Sequence, residues 1–140
     1  MKHFAKPRAI TTPLAKLTFL EPGIIEQRYL DNAQFSPEGL LQNLAAMETL
    51  CDHHGKCCLL SIFPAGMQVK ADLMNNDHYR DQRNKGQIRA LAVVTDSLEM
   101  HAASKLYFMY HQQPFETRVF DEEVDALRWL QSQLEEKGAA

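Results

Sequence analysis

The chain has 140 residues, the length of one domain, since a second independent core would be too small to stand alone. Hydrophobic residues make up 45% and charged residues 24%, close to the average for globular proteins, which excludes general disorder. Lys and Arg number 15 and Asp and Glu 18, a formal net charge of -3 that offers nucleic acid or an acidic membrane no broad basic field.

The opening Met1-Lys2-His3-Phe4-Ala5-Lys6-Pro7-Arg8 is basic and lacks the apolar stretch of a signal peptide. No apolar run approaches the roughly 18 residues that would span a bilayer. Pro7 and Pro13 mark residues 1–13 as a flexible arm, followed by a single domain over 14–136 and a frayed end over 137–140. Three cysteines in a core of this size read as reduced thiols, which makes the cytoplasm the expected location.

Leu14, Leu17, Phe19 and Leu20 form an apolar-rich run that stops at Glu21-Pro22-Gly23, and a second run covers 24–30. Pro presets φ and Gly accepts φ > 0, so the two runs read as a hairpin. Glu26 and Arg28 alternate with Ile25, Gln27 and Tyr29, which leaves one face of the second strand wet. Ser36-Pro37-Glu38 has the residues of a helix start. Leu40, Leu44, Met47 and Cys51, flanked by Leu41 and Ala45, then recur at helical spacing up to a stop at Gly55. The unbroken apolar run 57–63 predicts a strand covered on both faces, closed by Pro64-Ala65-Gly66. Val69 and Leu73 suggest a crossover helix over 69–84. Arg89 to Thr95 is the clearest buried strand. Asp96 and Glu99 suit a capping box on a helix over 97–111, with Leu98, Ala102, Leu106 and Met109 as its core stripe. Pro114 breaks that helix, 117–120 reads as a strand, and 121–136 as a last helix with Val124, Leu127, Leu130 and Leu134 inward and Trp129 at the shoulder. The order β-β-α-β-α-β-α-β-α predicts an α/β fold: a mixed sheet with a parallel centre and an N-terminal antiparallel hairpin, with helices packed on it.

Three stretches together carry a resemblance. Arg89-Ala90-Leu91-Ala92-Val93-Val94-Thr95-Asp96-Ser97 resembles the central strand and helix start of bacterial SpoIIAA-like domains, relatives of the STAS and CRAL-TRIO type folds. Pro114-Phe115-Glu116-Thr117-Arg118-Val119-Phe120 is similar to their last strand. Asp121-Glu122-Glu123 followed by Ala126-Leu127-Arg128-Trp129-Leu130 is similar to their closing helix. The resemblance covers roughly 57–136 and implies a small α/β domain that acts through partners or an apolar ligand. The anti-sigma-antagonist branch carries a phosphorylatable serine in an Asp-Ser-Ser-Gly-type element. Here that position reads Ser61-Ile62-Phe63-Pro64-Ala65-Gly66-Met67, so no phosphorylation site is carried over.

Cys51, His53, His54, Cys57 and Cys58 are the densest group of potential ligands, but adjacent strand residues point to opposite faces, so Cys57 and Cys58 cannot both turn to one metal. Adjacent cysteines also pair badly with each other. Ligands of parallel sheets sit beyond the carboxyl ends of the strands. Here that places Ser61, Pro64 and Gly66 after one strand, Thr95 and Ser97 after the next, and His101 one turn further on. No Gly-x-Ser-x-Gly elbow presents a serine, and no glycine-rich loop cradles phosphate. Met100, Tyr107 and Phe108 fall outside the expected stripe of their helix, so a neighbouring helix, a second subunit or an apolar ligand must cover them. Lys70, Arg80, Arg83, Lys85 and Arg89 interleave with Asp72, Asp77 and Asp81, the pattern of a solvated face.

The expectation is a non-enzymatic regulatory or protein-interaction module without cofactor or metal. Its candidate surface is Ser61, Pro64, Gly66, Thr95, Ser97, Met100, His101, Tyr107 and Phe108, and it forms a homodimer through helix 97–111. Two alternatives accompany it: a carrier of a lipid or other small apolar ligand, and an enzyme or thiol/metal protein using Cys57, Cys58 and His101.

Overall fold

In the computed structural model the described residues are 8–31, 33–51, 56–65, 74, 77–79 and 87–138. Six strands form one sheet in chain order: β1 (Ala9–Thr11), β2 (Ala15–Glu21), β3 (Ile24–Tyr29), β4 (Cys57–Ile62), β5 (Ile88–Val94) and β6 (Glu116–Phe120). The first three run antiparallel, and β3 to β6 are mutually parallel. The runs near 57, 89 and 117 therefore lie side by side and point the same way, as expected for the mixed α/β sheet. At the β2–β3 turn Gly23 adopts φ 86°, a left-handed conformation that L side chains rarely adopt.

Among the described residues three helices cover the sheet: α1 (Pro37–Leu50), α2 (Leu98–Tyr110) and α3 (Glu123–Gly138). Ser36 caps α1, its Oγ accepting from Gly39 N at 3.0 Å. Crossovers of one hand between strands added in chain order return on the same side of a sheet. Accordingly α1 and α2 share one face, over Leu17, Ile25, Leu59, Leu91 and Val93. The chain leaves β6 at the sheet edge and brings α3 back across the other face, over Cys58, Leu60, Ala90, Ala92 and Val94. All six residues of β4 are buried, and so is β5 apart from half-buried Arg89, as coverage on both sides requires. Pairing passes from Cys57–Ile88 to Cys58–Ala90 and skips Arg89; this irregularity sends Ile88 and Ala90 to opposite faces.

Several expectations change. Within the arm foreseen over 1–13, Ala9–Thr11 is an edge strand paired to β2. The helix foreseen over 69–84 lies mostly outside the described residues. Ser97 rather than Asp96 caps α2, its Oγ accepting from Met100 N at 3.2 Å. Val124 is exposed, and Ala126 takes the inner position beside Leu130.

The largest correction concerns α2. Its expected core stripe faces outward: Leu98 is 88% and Met109 68% exposed, with Leu106 and Ala102 also in solvent. Met100, 2% exposed, turns inward with Ser104 and Tyr107, and Phe108 packs beside them. Apolar side chains run around most of this helix, so spacing alone selects no face. Partners from outside the helix select it. Tyr107 Oη accepts from His78 N at 2.7 Å, and His111 Nε2 bonds Met74 O at 2.8 Å.

The cysteines are a second correction. Cys51, just past α1, is bridged to Cys57, the first residue of β4, with S–S 2.14 Å. Cys58 points to the other face, where its thiol lies 3.9 Å from Leu130 O. The bridge removes the argument from reduced thiols that favoured the cytoplasm. No helix among the described residues is long and apolar enough to cross a membrane.

Candidate functional site

An aromatic cleft opens at the carboxyl ends of β3, β4 and β5, on the face shared by α1 and α2. Each wall follows from the local fold. Tyr29 ends β3 on its buried face; Phe63 follows β4 directly, and Phe35 lies in the connection to α1. Tyr29 and Phe63 stack with centroids 4.8 Å apart and planes 3° apart, and Phe35 leans on Tyr29 at 4.9 Å. Opposite them, α2 presents Met100, Tyr107 and Phe108, with Tyr107 and Phe108 edge to face at 5.1 Å. Tyr79 closes the far side against Phe108 and Phe115. The partly open space between these walls is about 90 Å³. A dry cavity of about 150 Å³ accepts benzene, so this one takes a short apolar group or the end of a longer molecule.

Polar residues lie beneath the rings. Gln27 Nε2 donates to Tyr29 Oη at 3.0 Å and to Ser61 Oγ at 2.9 Å. Thr12 Oγ1 donates to Asn43 Oδ1 at 2.5 Å. Burial pushes the Tyr29 phenol up to about 12, against the opposing influence of Ser61 and Asn43. Burial, followed by the neighbouring Tyr29, Tyr107 and Asp77, holds Tyr79 well above the usual phenol range. Both phenols are therefore neutral at physiological pH. Asn43 acts on the acidity of Tyr29, yet its Nδ2 makes no hydrogen bond among the described residues. A buried donor left so costs about 1–3 kcal/mol.

The structure brings only some of the candidate residues together. Met100, Tyr107 and Phe108 line the cleft, and Ser61 belongs to the polar layer below it. Thr95 Oγ1 accepts from Ser97 N at 3.2 Å, so this pair shapes the start of α2. His101 Nδ1 lies 3.1 Å from Asp121 Oδ1 and does not line the cleft. Pro64 is half-buried just past β4, and Gly66, His53 and His54 lie outside the described residues. Cys57 belongs to the bridge and Cys58 to the α3 face. Among the described residues no three His, Cys, Asp or Glu side chains converge as metal ligands would.

Sequence reasoning missed Gln27, Tyr29, Phe35, Asn43, Phe63 and Tyr79. Two of them carried a signal. Asn43 interrupts the apolar stripe of α1, between Leu40 and Met47, and Gln27 sits between Ile25 and Tyr29 on the buried face of β3. A polar residue in a buried register needs a partner, and such positions point to a network or a ligand.

The family comparison matches residues 32–131, from the connection before α1 into α3, which includes Phe35, Asn43 and the α2 wall but not Thr12, Gln27 or Tyr29. No curated protein and no solved structure matches the chain. With most of its length matched by that family's model, the chain belongs to the SpoIIAA-like family.

Proposed function

We propose that this protein is a non-enzymatic module that works by binding, and that its cleft takes a small apolar molecule. The observation that carries the reading is the partly open space of about 90 Å³ walled by Tyr29, Phe35, Phe63, Met100, Tyr107 and Phe108. Ring faces and a polarizable Met offer dispersion contacts, and the site lies where α/β sheets receive ligands. Family membership agrees with a regulatory or interaction module in broad terms. The non-enzymatic reading draws on the roles of Thr95, Ser97 and His101, each engaged at a helix start or with Asp121.

Native mass spectrometry of freshly purified protein tests this reading, with a retained molecule of a few hundred daltons expected. Ala103→Phe, which fills the cleft beside Ser104, should abolish retention in a folded protein. Retention undiminished by that substitution would place the ligand elsewhere and overturn the reading.

A second reading, association of two chains through α2, rests on the outward stripe of Leu98, Leu106, Met109 and Tyr110. Light scattering should then give twice the chain mass, falling to one chain in Leu98→Glu. A single-chain mass across micromolar concentrations would sink it.

A further inference from the structure

The inner end of the cleft holds a donor whose direction can be deduced. Thr12 Oγ1 accepts from Leu14 N at 3.2 Å and from Ala15 N at 3.0 Å, which occupies both lone pairs of the hydroxyl. Its own proton has two acceptors in reach, Ala15 O at 3.2 Å and Asn43 Oδ1 at 2.5 Å, and the much shorter contact takes it. The amide oxygen is fixed towards Thr12, and the Nδ2 group must point the other way. That side holds a recess of about 10 Å³, lined by Asn43 with Gln27, Tyr29, Leu40, His78 and Tyr79. Tyr29, Leu40, His78 and Tyr79 also line the aromatic cleft, so the recess adjoins it. Its volume suits about one water-sized group. Asn43 itself is 1% exposed, and Nδ2 has no partner among the described residues.

We infer that the cleft selects apolar molecules bearing a neutral hydrogen-bond acceptor, a carbonyl or similar oxygen, which enters the recess and accepts from Asn43 Nδ2. The inference deepens the apolar-ligand reading and rests on it. An uncharged acceptor is specified because the donor aimed into the recess, Asn43 Nδ2, is a neutral amide, and of the side chains lining the recess only His78 can gain a positive charge. The Tyr29 phenol stays protonated through the physiological range. A carboxylate carried to that depth would lose its hydration for a single neutral amide. A plain hydrocarbon would fill the cleft and leave Nδ2 unpaired. The donor therefore discriminates between molecules of equal shape, which the aromatic walls do not.

The test compares acetophenone with ethylbenzene, alike in size and differing in the carbonyl, on the full chain by NMR titration. Acetophenone should bind on the order of tenfold tighter, the ratio expected when a buried donor gains its partner. Its addition should also shift the Asn43 side-chain amide resonances, an effect that ethylbenzene lacks. Asn43→Leu should bring the two affinities together by weakening acetophenone. Equal affinities in the unaltered protein, or unmoved Asn43 amide signals, would overturn the inference and leave the apolar-ligand reading standing. Binding of neither compound would remove both.

Discussion

The two faces of the sheet are built to opposite ends. Under α3 the strands present Cys58, Leu60, Ala90, Ala92 and Val94, and the helix returns Ala126 and Leu130. Small residues let the helix settle close, and the cluster they form is aliphatic apart from the Cys58 thiol. On the other face the lower part, around Leu17, Leu59, Leu91 and Met47, is filled in the same aliphatic manner. Towards the carboxyl ends of the strands, rings replace the aliphatics and a polar layer lies beneath them. Rigid rings of this size meet at centroid distances of about 4.5–7 Å and leave space between them. The candidate site lies where the aliphatic packing of this face is interrupted.

Matched truncations sharpen the contrast most. Leu130→Ala, on a residue 0% exposed, should lower stability by about 2–5 kcal/mol in urea denaturation, because its surroundings are closely packed. Met100→Ala, in the cleft wall, should fall at the low end of that range, about 2 kcal/mol, since its side chain already borders free space. Equal losses would mean that the two faces are packed alike.

The cleft face should answer to alkali. The Tyr29 phenol titrates near 10 when unfolded and at about 12 when folded, so the unfolded chain releases its proton first. This contribution is fully present below about pH 10 and is lost as pH rises through 12, a fall of roughly 2–3 kcal/mol by linkage. Tyr79, raised in the same direction, adds to it. Tyr29→Phe should flatten the fall, and an unchanged alkaline profile would argue that the phenol is solvated.

The covalent tie also belongs to the cleft face, joining the end of α1 to the start of β4. Unfolding without reductant should expose one titratable thiol and with reductant three; three in both cases would disprove the bridge. Reduction should lower stability by roughly 2 kcal/mol, the loop-closure value for so short a span. The smallest effect is expected on the α3 side. The Arg28–Glu123 pair, 2.8 Å apart and half-exposed, joins β3 to α3, and Glu123→Gln should cost only about 0.2–1 kcal/mol at low salt. Its salt dependence provides the check.

The sheet was largely legible because each signal is local. The run 57–63 and the run 89–95 are apolar throughout, and a strand buried on both faces has no other pattern to show. Ser36-Pro37 announced α1, and Leu40, Leu44 and Met47 marked its inner side, although Leu41 and Ala45 proved to be outward. The site was legible only in part. Spacing marks Met100, Tyr107 and Phe108 as needing a cover, but it puts the wrong face of α2 inward. Nothing within 98–110 encodes the two bonds from 74–78 that turn the helix. Residues 51 and 57 likewise meet only because α1 ends where β4 begins.

Hydrophobic runs, the Pro-Gly turn and the helix-start residues thus determined, unaided, the order of β2 to β6 with α1, α2 and α3 and the mixed, centrally parallel sheet, but not the edge strand β1. Each is a statement about neighbours in the chain. Which side of α2 faces inward, the pairing of Cys51 with Cys57, and the meeting of Asn43, Thr12 and Tyr29 below an aromatic cleft were decided by tertiary structure alone. These depend on groups up to 37 residues apart, as Met74 and His111 are, and only the assembled layers bring such groups within bonding distance.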